Sequence, residues 1–275
     1  MPLQDIRTQP TYVINLDRRK DRWDSFSAQP TLKEFQKLQR FSAVDGSKID
    51  VLNDKRISPH TRINIMNKYR RSDYEINTPG AIGASLSHIG LWKKLVDSDA
   101  EYIVVFEDDT IVDDKTMLLI DKLIKDLPQG WDMWLLGHHK WMLKSVPLTS
   151  DKEGWQKVQQ FTGAHGYVLS RRGAQILLEE PFPIETHIEY YVSSCARLKG
   201  LTIVKHPKLR MSYFQELTDS DDSDTFDSFL SCPVCIVPDT YPYSGLYIPN
   251  AILERGLVAI AALGFVGAGL YYSRR

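Results

Sequence analysis

"YIVVFEDDTIV", residues 102–112, decides how the chain is read. Tyr102 to Phe106 make a short apolar run of β-branched and aromatic residues, the pattern of a buried strand. The run stops at three consecutive acids, Glu107, Asp108 and Asp109, and "TIV" then turns apolar again. Adjacent carboxylates repel one another, so either they are solvated in a turn or something gathers them. A polar turn fits poorly with the apolar residues that follow. In an extended strand Glu107 and Asp109 point to one side, with Cα atoms roughly 6.8 Å apart, and Asp108 points to the other. Side chains so spaced can converge on a hard divalent cation, Mn²⁺ or Mg²⁺.

Five more runs read as strands: "TYVINL" (11–16), "RFSAV" (40–44), "MWLLG" (133–137), "GYVLS" (166–170) and "LTIVK" (201–205). Helical spacing fills the gaps. "ASLSHIGLWKKLV" carries Leu86, Ile89, Trp92 and Val96 on one stripe, with Lys93 interrupting it. "KTMLLIDKLIKDL" follows Asp113 and Asp114, either of which can cap it. Ser170 can cap "RRGAQILLEE", and Gly200 suits the end of "HIEYYVSSCARLKG". Alternating strands and helices predict an α/β sheet flanked by helices.

The chain has 275 residues, 43% of them hydrophobic and 25% charged, with a net charge of -1. That is globular composition without the basic excess of a nucleic-acid binder. Three cysteines are too few for a disulfide framework and suit a reducing compartment. Cys232 and Cys235 form a lone CxxC with no second pair for zinc, and read as free thiols. The first ten residues are polar and lack the apolar centre of a secretory signal. After about residue 215 the composition shifts. Residues 216–249 are an acidic and then Pro/Tyr-rich linker. Residues 250–275 contain an uncharged stretch from Leu257 to Tyr272. As a helix it would span ~24 Å, short of the ~30 Å hydrocarbon core. Arg255, Arg274, Tyr271 and Tyr272 suit the interfaces. The expectation is a C-terminal single-pass anchor that leaves the catalytic domain, residues 1–215, on the cytosolic side.

Open α/β sheets bind ligands at the carboxyl ends of their strands. Asn15 and Asp17 end the first strand, and Arg18, Arg19 and Arg22 follow. These arginines either fork onto phosphate oxygens or start an ordinary charged helix. Asp45-Gly46 can take ribose hydroxyls or make a plain turn. Gly80 and Gly83, just before a helix, allow close backbone approach by a diphosphate or sugar, or serve a tight turn. His88 is either a packed histidine or part of the site. His138 and His139 can line an acceptor side.

These pieces taken together resemble glycosyltransferase family 25, the lipooligosaccharide and procollagen β-galactosyltransferases. The matching stretches run in order: "YVINLDRRKDRW", "FSAVDG", "PGAIGASLSHIGLWKKLV", "YIVVFEDDTIV", "WDMWLLG", "GAHGYVLSRRGA" and "PIE", across residues 11 to 210. The resemblance implies a GT-A type nucleotide-sugar fold, a UDP-sugar donor and a divalent metal at the acidic motif. It also implies inverting transfer of a hexose, galactose or glucose, to a glycan, lipid-linked or protein acceptor. It places Asn15, Arg18, Arg22, Asp45, Gly83, Ser87 and His88 on the donor, and Glu107 and Asp109 on the metal. Asp108 falls within the same acidic motif and is counted with the catalytic residues. The family's Pro-Val-Asp reads Pro183-Ile184-Glu185 here, and Ala84 stands where a cysteine is frequent. A family glutamine finds Ser212 in its place, with Gln215 three residues on. An inverting transfer needs a general base for the acceptor hydroxyl, and Glu185 is the expected one; its alternative is a helix-start glutamate stabilised by the dipole. A metal-dependent phosphohydrolase and a non-catalytic, membrane-anchored UDP-sugar-binding protein are the rival readings.

Overall fold

The computed structural model describes residues 3–214 apart from 69, 71, 141–142 and 149–153. The expected linker and anchor, Cys232, Cys235 and Gln215 lie outside the described residues. Among the described residues no helix is long and apolar enough to cross a membrane.

All six expected strands form: β1 (Thr11–Asn15), β2 (Leu38–Ser42), β3 (Tyr102–Glu107), β4 (Met133–Gly137), β7 (Gly166–Ser170) and β8 (Ile203–Lys205). Two more were not expected, β5 (Lys144–Pro147) and β6 (Gln156–Gln160). The eight build one mixed sheet in the order β2-β1-β3-β7-β4-β8-β6-β5. β1 is parallel to β2 and to β3, and β4 to β8, whereas β7 runs antiparallel between β3 and β4. The carboxyl ends of β1, β3, β4 and β8 therefore share one edge with the amino end of β7.

Side chains alternate across the sheet, and both faces are covered. Ile103, Val105, Leu135, Tyr167 and Leu169 pack with α3 (Pro79–Val96), α5 (Arg171–Leu178) and α6 (Ile188–Leu198). Val104, Phe106, Trp134, Leu136 and Val168 pack on the other face with Phe26 of α1 (Lys20–Ser27) and with Met117 and Ile120 of α4 (Asp114–Leu123). α2 (Pro59–Asn67) lies before α3. Of the two candidate caps for α4, Asp113 takes the role, accepting from Thr116 N–H at 2.7 Å. Ser170 caps α5 through Gly173 N–H, and Gly200 has the expected left-handed φ of 73°.

Two glycines bring the site's loops together. A Cβ on Gly83 would lie 2.3 Å from the Val44 carbonyl oxygen, and one on Gly46 would lie 2.0 Å from that of Pro79. Gly80 and Gly83 sit inside α3, not ahead of it, because Thr78 caps the helix and Pro79 opens it. Their expected place against a diphosphate becomes, for Gly83, a close contact between α3 and the Val44–Gly46 turn.

Candidate active site

A cavity of about 660 Å³ opens at the carboxyl edge of the sheet. Its walls come from the β1–α1 junction, the Asp45 turn, the start of α3, the end of β3, the segment leading into β7, and the start of α6. Its size is that of a small-molecule or cofactor site.

Two of the three acids are gathered by an arginine. β3 ends at Glu107, where Thr110 N–H donates to the Glu107 carbonyl at 3.1 Å and closes a turn. The strand alternation expected for the acids therefore stops at Glu107. Asp108 and Asp109, in the turn, both reach the guanidinium of Arg22, at 3.0 Å and 2.6 Å. Arg22 projects from the first turn of α1. Asp108 also accepts from Asn15 Nδ2 at 2.6 Å, and Asn15 Oδ1 in turn accepts from Arg40 Nε at 2.6 Å. Asn15, expected on the nucleotide, is buried and holds Asp108 in place instead. Burial pushes the Asp108 carboxyl up to about 6 against the pull of Arg22 and Asn15, and the neighbouring Asp109 and Glu107 charges raise it further.

Glu107 is turned toward α3. Trp92 Nε1–H donates to the Tyr167 hydroxyl at 3.1 Å, and that hydroxyl lies 2.9 Å from His88 Nδ1. The Tyr167 hydroxyl thus engages Nδ1 and leaves Nε2 as the ring's other polar atom. That nitrogen faces Glu107 Oε1 at 3.5 Å. Burial pushes Glu107 up, but His88, with help from His165 and Arg22, outweighs it and leaves the carboxyl below its ordinary value. Ser87 donates to the Gly83 carbonyl at 2.7 Å and accepts from Val44 N–H at 2.9 Å, which ties the Asp45 turn to α3. Asp45 accepts from Ser47 N–H and Oγ and meets Arg18 Nε at 3.6 Å. The Ser47 hydroxyl, with Arg18 and Lys48 beside it, holds Asp45 below the usual range against slight burial.

Arg18, Arg22, Asp45, Ser87, His88, Glu107, Asp108 and Asp109 thus share one cavity wall. Glu185 does not join them. It is exposed, outside the lining, and its backbone carbonyl accepts from the Thr61 hydroxyl. The same lining holds residues that the sequence pattern does not mark: Thr162, Gly163, His165, Glu189, Tyr190 and Tyr213. His139, His165 and Tyr213 cluster there with ring centroids 4.9 to 6.0 Å apart. His165 lies within "GAHG", one of the stretches that carry the family resemblance. Glu189 was hidden in "HIEYYV", whose helical pattern drew attention to its apolar residues.

A family model described as glycosyltransferase family 25 (LPS biosynthesis protein) matches residues 8–192. Procollagen galactosyltransferase 2 of Homo sapiens is 26% identical over 245 residues, covering 84% of this chain and 35% of that protein. A putative glycosyltransferase of Haemophilus influenzae is 28% identical over 178 residues, covering 62% of this chain and 57% of that protein. This chain thus spans only about a third of the length of the human relative. Among solved structures, a UDP-glucose pyrophosphorylase complexed with UDP-glucose is similar over 75% of this chain at 11% identity, with a TM-score of 0.37, too distant to carry an argument. The family match takes in the β1–α1 arginines, the Asp45 turn, the start of α3, the β3 acids and the first turn of α6, and on it this chain belongs to glycosyltransferase family 25.

Proposed function

We propose that the chain is a GT-A type hexosyltransferase that moves galactose or glucose from a UDP-sugar to an acceptor hydroxyl, with inversion at the anomeric carbon. The observation behind this reading is the single cavity wall that unites Arg18, Arg22, Asp45, the start of α3 and the Glu107–Asp109 acids. Asp45 suits ribose hydroxyls, and Arg18 beside it suits phosphate oxygens. The galactosyltransferase names of relatives favour galactose as the hexose.

The lining carries six carboxylates, Asp45, Asp73, Glu107, Asp108, Asp109 and Glu189, against two guanidinium groups, Arg18 and Arg22. A diphosphate entering such a cavity needs further positive charge. The oxygen donor set fits a hard divalent cation, and Glu107 and Asp109 are the residues that would hold it. Among the described residues no group of three or more His, Cys, Asp or Glu is arranged to hold a metal ion. When bound, such an ion supplies charge neutralisation to the leaving UDP. Arg22 keeps Asp108 and Asp109 fixed at the end of β3, and His88 orients Glu107. The His139–His165–Tyr213 cluster in the same lining offers aromatic faces for a sugar acceptor.

Incubation with single UDP-hexoses and no acceptor tests this reading. Slow release of UDP and free hexose from one of them is expected, since water can take the acceptor's place. Release of UMP and hexose-1-phosphate would mean cleavage at phosphorus and a phosphohydrolase instead. No turnover of any UDP-hexose would leave a binding protein.

A further inference from the structure

Five of the six cavity carboxylates meet a positive or hydrogen-bearing side chain. Asp45 meets Arg18, Asp73 meets Arg70 at 3.9 Å, Glu107 faces His88, and Asp108 and Asp109 share Arg22. Glu189 is different. Its Oε1 accepts from the Gly163 backbone N–H at 3.1 Å, and among the described residues no ion pair engages it. It stands in the first turn of α6, where the helix dipole favours a carboxylate. Gly163 belongs to the segment that enters β7 alongside the end of β3, for Glu107 N–H donates to the His165 carbonyl at 3.0 Å. The carboxylate is thereby fixed in the same cavity lining as the acids and the His139–His165–Tyr213 cluster.

We propose that Glu189 is the general base that takes the proton from the acceptor hydroxyl. The proposal rests on the transferase reading of the same cavity. In the step, the acceptor O–H bond breaks and its proton passes to the Glu189 carboxylate. The acceptor oxygen's electron pair forms the bond to the anomeric carbon. The bond from that carbon to the β-phosphate oxygen breaks, and its electrons leave with UDP. Glu189 then returns the proton to solvent.

Burial pushes the Glu189 carboxyl up, and the nearby Glu107 charge adds to this; its own backbone N–H, then His88 and the Gly163 N–H, oppose them and do not cancel them. A base so raised sits closer to the working pH and is stronger for it. The charged and titratable groups around it come from several elements: Glu107 of β3, His88 of α3, His165 before β7, Asp73 before α3, and His187 and Tyr190 beside it on α6.

Glu189→Gln keeps the shape and an oxygen for Gly163 N–H, so the fold is retained. The expected result is transfer lowered by about 10²-fold or more in kcat. UDP affinity stays at the wild-type value, and the acid limb of the pH–rate profile disappears. Glu189→Asp should recover part of the rate and restore the limb. Wild-type transfer with transfer by Glu189→Gln within about threefold of it overturns the base assignment alone, as does loss confined to Glu185→Gln measured beside it. Failure of the wild type to transfer or hydrolyse any UDP-hexose overturns both the base and the transferase reading.

Discussion

At Arg22 and at His138 a single side chain sets the local charge balance. Arg22 answers the question raised by three adjacent acids, because its guanidinium spans Asp108 and Asp109 in a mostly buried setting. His138, just past β4, is 4% exposed. Its Nδ1–H donates to the His139 carbonyl at 2.6 Å, and its Nε2 is buried without a hydrogen bond among the described residues. Burial holds its pKa down to about 4 from 6.5, and the neighbouring Lys205, His165 and Arg210 charges add to this. Between those two pH values the unfolded chain binds a proton that the folded chain refuses. Stability from this group is thus complete above pH 6.5 and is lost as pH falls toward 4, by on the order of 3 kcal/mol. His187, also held near 4, acts in the same direction, and Asp108, raised to about 6, acts in the opposite one. The difference between wild type and His138→Gln isolates the effect. Urea unfolding should show the wild type losing more stability from pH 7 to pH 4.5 than the variant; parallel losses would contradict it. The sequence marked the acids and Arg22 as site residues, but it could not show that the arginine holds the acids. That depends on a turn starting at Asp108. The sequence pointed to Glu185, which is exposed and outside the cavity, and gave no sign of Glu189, which lines it.

α3 carries more of the site than any other helix, and its position depends on Gly83. Alanine is the better helix former by about 0.5–1 kcal/mol. Here its Cβ would meet the Val44 carbonyl oxygen at 2.3 Å, a backbone atom that cannot rotate away. Overpacking of that kind costs about 1–3 kcal/mol, so the contact wins over propensity. Gly83→Ala should lower the unfolding temperature and also weaken UDP binding, because the Asp45 turn moves with Val44. Thermal melts and UDP titration check both, and a variant that is more stable than the wild type would contradict the close packing. The six strands legible in sequence are apolar runs, most of them buried along their whole length. β5 and β6 escaped because they form the far edge of the sheet. Lys144–Pro147 is mostly exposed, and of Gln156–Gln160 only Val158 is buried. α2 escaped for a similar reason: Ile63 and Met66 point outward at 54% and 62% exposure, so its apolar pattern does not mark a core face.

Across the whole molecule the formal net charge is only -1, so the excess of carboxylates in the cavity is local. An enzyme handling an uncharged sugar alone has no need to gather acids at the mouth of a sheet that also presents arginines. On the proposed reading, a diphosphate and a divalent cation arriving together would account for both signs of charge at once. Linkage then requires each to tighten the other. Calorimetric titration of the full chain with UDP, once in Mn²⁺ and once in EDTA, and for wild type beside Asp109→Asn, measures this directly. The account predicts saturable binding by the wild type, tighter by on the order of tenfold or more in Mn²⁺, with that gain lost in Asp109→Asn. Equal wild-type affinity in Mn²⁺ and EDTA, or no saturable binding in either, would contradict it.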